Sequence, residues 1–132
     1  MACSVEMHET DQPTTFAKLP DSDVILVRVN GILNSRIAIE IGERALAFAK
    51  EQGCKKFLFD YREARVVEST TGIYYNPTLM VKSGFDPNMY QVAILYIHDE
   101  ADYMFWETVA RNKGYVARVF KRMDEALAWL SE

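Results

Sequence analysis

The chain has 132 residues, 49% of them hydrophobic and 26% charged, with a formal net charge of -4. That length suits one domain with a core of its own, residues 1–132, and the composition excludes a disordered chain. The basic residues are scattered apart from Lys55-Lys56 and Lys121-Arg122, so the electrostatic footprint of a nucleic-acid binder is missing.

Met1 to Asp11 carries Glu6, Glu9 and Asp11 and no apolar core, so it does not read as a secretory signal. No apolar run approaches the ~20 residues that cross a bilayer. Cys3 and Cys54 form no Cys-x-x-Cys pair, which suits a reducing compartment and offers no zinc site. The expectation is a cytoplasmic protein with no membrane span, no metal and no cofactor.

Val5 and Met7 alternate with Glu6 and His8, so Ser4–Glu9 reads as a short first strand at an edge, followed by a polar loop within residues 1–23. Val24 to Val29 reads as the second strand, closed by Asn30-Gly31. The two would form a wide hairpin with Phe16 and Leu19 in the connection. Asn34 or Ser35 caps a first helix, whose stripe is Ile37, Ile41, Ala45 and Phe48, and Gly53 stops it.

Phe57-Leu58-Phe59 is a continuous apolar run, as in a strand covered on both faces, and ends in Asp60-Tyr61-Arg62. Ala64 to Glu68 stays open between strand and loop. Ser69-Thr70-Thr71 starts a second helical region reaching about Ser83. Pro77 predicts a break in it, with a turn around Ile73-Tyr74-Tyr75 and a new helix from Pro77. Gln91 to Ile97 is the strongest strand. Asp99 caps a third helix over Glu100–Asn112, Val116–Phe120 is the last strand, and Asp124 caps a last helix. Strands alternating with helices predict an α/β fold: a mixed, mostly parallel sheet with helices packed on it.

In such sheets, ligands bind beyond the carboxyl ends of the strands. Asp60, His98 and Asp99 sit there, and two carboxylates with a histidine could do acid–base work if their pKa values separate. The simpler reading sets Asp60 against Arg62 or Arg65 and leaves Asp99 as a cap. Nucleotide-binding glycine loops are absent, and Asn30-Gly31 supplies no acids for a magnesium-dependent receiver site. The stretch from Thr70 to Met80 joins aromatics, a proline and a methionine, as adaptable contact surfaces do. Tyr103, Phe105 and Trp106 form a second aromatic cluster. If both flank one cavity, a small apolar ligand fits.

Several pieces together resemble the SpoIIAA-like branch of the STAS families. They are Val29-Asn30-Gly31, Phe57 to Asp60 followed by Tyr61-Arg62-Glu63-Ala64, and Phe105 to Asn112 leading to Gly114-Tyr115. Arg118-Val119-Phe120 and Ala126-Leu127-Ala128-Trp129-Leu130 complete the pattern. The resemblance runs from about Val24 onward and implies a mixed sheet with helices packed on it. It also implies a regulatory module that binds a protein partner. The family's switch has a serine shortly after an aspartate ending the third strand. Here Asp60-Tyr61-Arg62 has none, and Ser69, the first serine downstream, reads as a helix cap. The phosphoswitch is therefore not carried over. The architecture is similar to CRAL-TRIO lipid-binding domains too.

The leading expectation is a non-enzymatic module that binds a protein partner or a second copy of itself. Its surface would be Asp60, Tyr61, Arg62, Ser69, Tyr74, Tyr75 and Met80, with His98 and Asp99 nearby. The alternative is a small carrier or sensor of an apolar, lipid-like ligand held between the second helical region and the third helix. An enzyme using Asp60, His98 and Asp99 ranks third.

Overall fold

The longest apolar runs of the sequence become the central strands of one sheet. The computed structural model describes residues 14–132, so the strand expected over Ser4–Glu9 lies outside the described residues. The elements are β1 (Thr14–Lys18), β2 (Val24–Leu33), α1 (Ser35–Gln52), β3 (Lys56–Val66), α2 (Thr70–Lys82), β4 (Gln91–Leu95), α3 (Glu100–Asn112), β5 (Val116–Phe120) and α4 (Met123–Leu130). The sheet order is β1-β2-β3-β4-β5. β1 runs antiparallel to β2, and every other pairing is parallel. The expected mixed α/β architecture is therefore the one observed.

Topology decides where the helices go. The parallel strands advance across the sheet in one direction, and crossovers between them are right-handed. α1, α2 and α3 must then land on the same face. α4 follows the last strand and makes no crossover, so it is free to fold onto the other face. The core divides accordingly. Phe57, Phe59, Val92 and Ile94 join Ile41, Ala45, Ile73 and Trp106 under the first three helices. Leu58, Ala93, Leu95 and Phe120 join Ala126 and Leu130 under α4. Phe57-Leu58-Phe59 thus serves both layers, as a strand buried on both faces must.

Four expectations need correction. The stretch read as a connection around Phe16 contains a strand, because Thr14 to Lys18 pair in register with Val29 to Ile25. Phe16 packs its ring 6.1 Å from that of Phe48, and the Arg44 guanidinium lies 5.1 Å from the Phe16 ring centre. β2 and β3 both run past their expected ends, to Leu33 and Val66, so Ala64 is strand and Asp60-Tyr61-Arg62 lies within β3. Arg28 faces Asp60 but Asn30 faces Glu63, so β3 carries one extra residue at a bulge there.

α2 is continuous through Pro77. Proline has no N–H, so the Ile73 carbonyl loses its usual partner. Burial of Ile73, Asn76, Pro77 and Met80 against the neighbouring helices outweighs that loss. Ser69 does cap α2, its Oγ accepting from the Gly72 N–H at 3.0 Å. Asp124 lies inside the first turn of α4, with Arg122 at the cap position and paired with it.

Candidate functional site

Helices α1, α2 and α3 leave a gap over the sheet. A cavity of about 90 Å³ lies there, with Phe59, Tyr61 and Ile94 as its floor. Ala38 and Gly42 of α1, Ile73 and Met80 of α2, and Tyr103 and Trp106 of α3 line its walls. Gly42 brings α1 close to the Phe85 ring. A Cβ there would stand 3.2 Å from the Phe85 ring, which fills the layer below. The lining is almost wholly apolar, as ligand cavities generally are.

A small polar network holds the helices around the gap. The Trp106 Nε1–H donates to Asn76 Oδ1 at 2.9 Å, and Asn76 Nδ2 donates to Ser35 Oγ at 3.4 Å. Ser35 Oγ in turn donates to the Gly72 carbonyl at 3.1 Å. Glu68 accepts from the backbone N–H groups of Ser35 at 2.7 Å and Ser69 at 3.0 Å, tying the start of α1 to that of α2. A Cβ on Gly72 would collide with the Glu68 carboxylate and displace it from these bonds.

Tyr103 differs from these groups. It is only 5% exposed, and its hydroxyl finds no hydrogen-bond partner among the described residues. Its ring stacks between those of Tyr96, at 5.1 Å, and Tyr61, at 6.2 Å. Burial pushes the Tyr61 and Tyr103 phenols well above the usual tyrosine range, with nearby Asp99 and Asp102 adding to it at Tyr103. Both therefore stay protonated.

The two carboxylates considered for acid–base work do not act as a pair. Asp60 stands two residues after Leu58 in β3, so it shares that residue's α4 side of the sheet. There Arg62 Nε and Nη2 each donate to it at 2.9 Å, and Arg28 Nε lies 3.4 Å away. Burial alone would raise its pKa, but the hydrogen bonds and charge of Arg62, with the charge of Arg28, lower it below the usual value. Asp99 sits at the cap position of α3 in the left-handed region, φ 63°, and makes no side-chain cap bond. Its carboxylate instead accepts from the Val66 N–H at 2.8 Å and from Arg65 at 3.2 Å, locking the end of β3 to the start of α3. The hydrogen bond from Arg65 lowers its pKa as well. Both groups are held ionised, each by its own arginine, whereas acid–base pairs need pKa values pushed apart.

A pH dependence follows from the sign of these shifts. A folded-state pKa below the unfolded value stabilises the fold above the unfolded pKa, and that gain disappears as pH falls through the folded value. Wild-type stability, measured as the urea midpoint between pH 6 and pH 3, is expected to fall most steeply below about pH 4. Asp60→Asn should be less stable than wild type at pH 6 and should show a shallower acid decline. Parallel curves for the two proteins would show that Asp60 gains nothing from its arginines.

The residues anticipated as one surface fall into separate groups. Tyr61 and Met80 are buried and line the cavity. Asp60 and Arg62 lie on the opposite face of the sheet. Ser69 is exposed at the start of α2, while His98 is exposed and Asp99 half-buried at the turn into α3. Tyr74 and Tyr75 stand on the outer side of α2, 45% and 54% exposed, with rings 5.2 Å apart edge to face. Among the described residues, no His, Cys, Asp and Glu cluster could hold a metal ion, and no helix is long and apolar enough to cross a membrane.

No protein-family model matches the chain, and no curated protein matches it by sequence. Solved structures do. An uncharacterised protein of the DUF3478 family from Shewanella loihica, described as having a SpoIIAA-like fold, is 18% identical with a TM-score of 0.58, over 98% of this chain and 99% of that one. This chain has the SpoIIAA-like fold. An anti-sigma factor antagonist from Mycobacterium paratuberculosis is 12% identical, with a TM-score of 0.56 over 90% and 95% of the two chains. The unphosphorylated anti-sigma factor antagonist SpoIIAA is 11% identical, with a TM-score of 0.52 over 89% and 96%.

On this SpoIIAA-like frame, some cavity residues escaped the sequence reading. Asn76 looked like part of a proline break, and Glu68 belonged to a stretch left open between strand and loop. Their roles come from contacts made thirty or more residues away along the chain, with Trp106 and Ser35. Polar residues within otherwise apolar stretches were the available hint, since a buried amide needs partners. The aromatic cluster Tyr103-Phe105-Trp106 was readable as a group, and its flanking one cavity with the second helical region was only an open condition of the sequence reading.

Proposed function

We propose that this chain is a cytoplasmic regulatory module that binds a protein partner, or a second copy of itself, through the outer side of α2. The observation carrying this reading is the solvent-exposed Tyr74–Tyr75 pair. Leu79 is exposed one turn further along the helix, and the Lys113 ammonium lies 5.8 Å from the Tyr74 ring centre. Large aromatics left in water beside a cation are the groups that dominate protein interfaces. The fold shared with anti-sigma factor antagonists supports a partner-binding role. The reading includes no catalysis, since Asp60 and Asp99 are each neutralised separately. It includes no serine switch either, since the Ser69 hydroxyl is engaged as the α2 cap.

Tyr74→Ala/Tyr75→Ala is expected to stay within about 1 kcal/mol of wild-type stability, because surface side chains contribute little to folding. It should weaken a purified partner complex, or a self-associated dimer, by roughly tenfold or more, as loss of interface aromatics does. Affinity by isothermal calorimetry, or dimerisation by analytical ultracentrifugation, gives the number. A complex that survives the double substitution unchanged does not use this face.

A further inference from the structure

The cavity beneath α1, α2 and α3 is separate from that surface, since Tyr74 and Tyr75 take no part in its lining. Its inner lining is closed, with Phe59, Tyr61, Ile94 and Trp106 all buried. The lining reaches solvent where the helices begin. Asn34 and Ser35 at the start of α1, Glu68 just before α2 and Asp102 in the first turn of α3 line it and are only half-buried. The result is an apolar hole with a polar rim. Volume limits what enters. An apolar cavity of about 150 Å³ accepts benzene, roughly 25 Å³ for each carbon. At that density the 90 Å³ here holds about three or four carbon atoms, the end of a thin chain and less than a six-membered ring.

The apolar interior leaves hydrogen bonding to the rim. Asn34 Oδ1 accepts from the Ile37 N–H, and Ser35 and Glu68 are engaged in the network described above. Asp102 differs from them. Its carboxylate accepts no hydrogen bond and forms no ion pair among the described residues. A carboxylate only accepts, so a head group seated there must donate. Charge then chooses among donors. No lysine, arginine or histidine lines the cavity, and Glu68 and Asp102 already answer the helix N-termini, so an anionic head group would meet repulsion and no counter-ion. A cation would meet two acids but also the positive ends of three helices. An uncharged hydroxyl avoids both penalties.

We infer that this cavity is a binding site for a short, unbranched, uncharged aliphatic alcohol whose hydroxyl donates to the Asp102 carboxylate at the rim. Its chain lies on the floor of Phe59 and Ile94, beside Trp106, which Asn76 holds in place. This class differs from a fatty acid, whose carboxylate would lie against Glu68 or Asp102, and from a cyclic compound, which exceeds the volume. The inference does not depend on the α2 outer face, so either can fail without the other.

The test is a two-dimensional amide NMR titration of the full chain with the straight-chain alcohols from methanol to n-hexanol. Shifts should saturate and be confined to the cavity, including the Trp106 indole N–H. Affinity should rise roughly fourfold with each carbon as far as n-propanol or n-butanol, the worth of burying one methylene, and then level off. Cyclohexanol should give no saturable shifts. Butanoate, which has the same propyl tail as n-propanol but an anionic head, should bind more weakly than n-propanol. Asp102→Ala should weaken every alcohol by one common factor, roughly two- to tenfold, and leave the levelling point where it is. Ala38→Leu, which fills the cavity from α1, should move the levelling point to a shorter chain. The inference is overturned if the shifts do not saturate, if affinity keeps rising through n-hexanol, if cyclohexanol binds as tightly as n-butanol, or if Asp102→Ala binds n-propanol as tightly as wild type.

Discussion

Phe57→Ala is expected to lower the unfolding free energy by about 3–5 kcal/mol, the usual range for emptying a buried phenylalanine site. Phe57 is completely buried at the centre of β3. Its ring lies 5.8 Å from that of Phe59, 5.1 Å from Phe85 and 5.7 Å from Tyr90. Phe85 is held in turn by its backbone, since its carbonyl accepts from the Tyr115 hydroxyl at 2.7 Å. The neighbours are therefore fixed and cannot collapse into the vacancy, which places the cost at the upper end. The chain provides its own probes. Its two tryptophans, Trp106 in α3 and Trp129 in α4, report on opposite faces of the sheet. Urea unfolding followed by fluorescence, with Trp106→Phe and Trp129→Phe backgrounds separating the signals, should give one coincident transition. A loss under about 1 kcal/mol would mean that this aromatic group is not the keystone of the larger core.

What could be read from the sequence was what local pattern controls. The apolar stripe of α1, with Asn34 and Gly53 at its ends, is observed as expected, because periodicity and capping are properties of a short window. The limits of α3 and β5 were legible for the same reason. Most departures come from contacts distant in the chain. Thr14–Lys18 has little pattern of its own and becomes a strand because β2 offers an unpaired edge. β3 extends to Val66 because β2 runs beside it to Leu33. Pro77 weakens a helix locally, and only the burial of its inner face keeps α2 whole. Asp99 has a cap's position but not its role, since the Val66 N–H and Arg65, more than thirty residues away in the chain, take its carboxylate. Site residues followed the same division. Tyr74 and Tyr75 were legible as aromatic surface, whereas the burial of Tyr61 and Met80 depended on which way β3 and α2 turned.

Tyr103→Phe should raise stability in the ligand-free protein, by about 1–2 kcal/mol, because it removes a buried donor that has nothing to donate to. For a domain of this size that corresponds to roughly 3–8 °C in melting temperature. The ring itself is kept, so its stacking on Tyr61 and Tyr96 should persist, and no other packing contact is lost. A stabilising deletion at a buried position is unusual, because most substitutions there destabilise. It is expected where a group is retained for something other than the fold. If the variant is no more stable than wild type, the hydroxyl is already satisfied in solution.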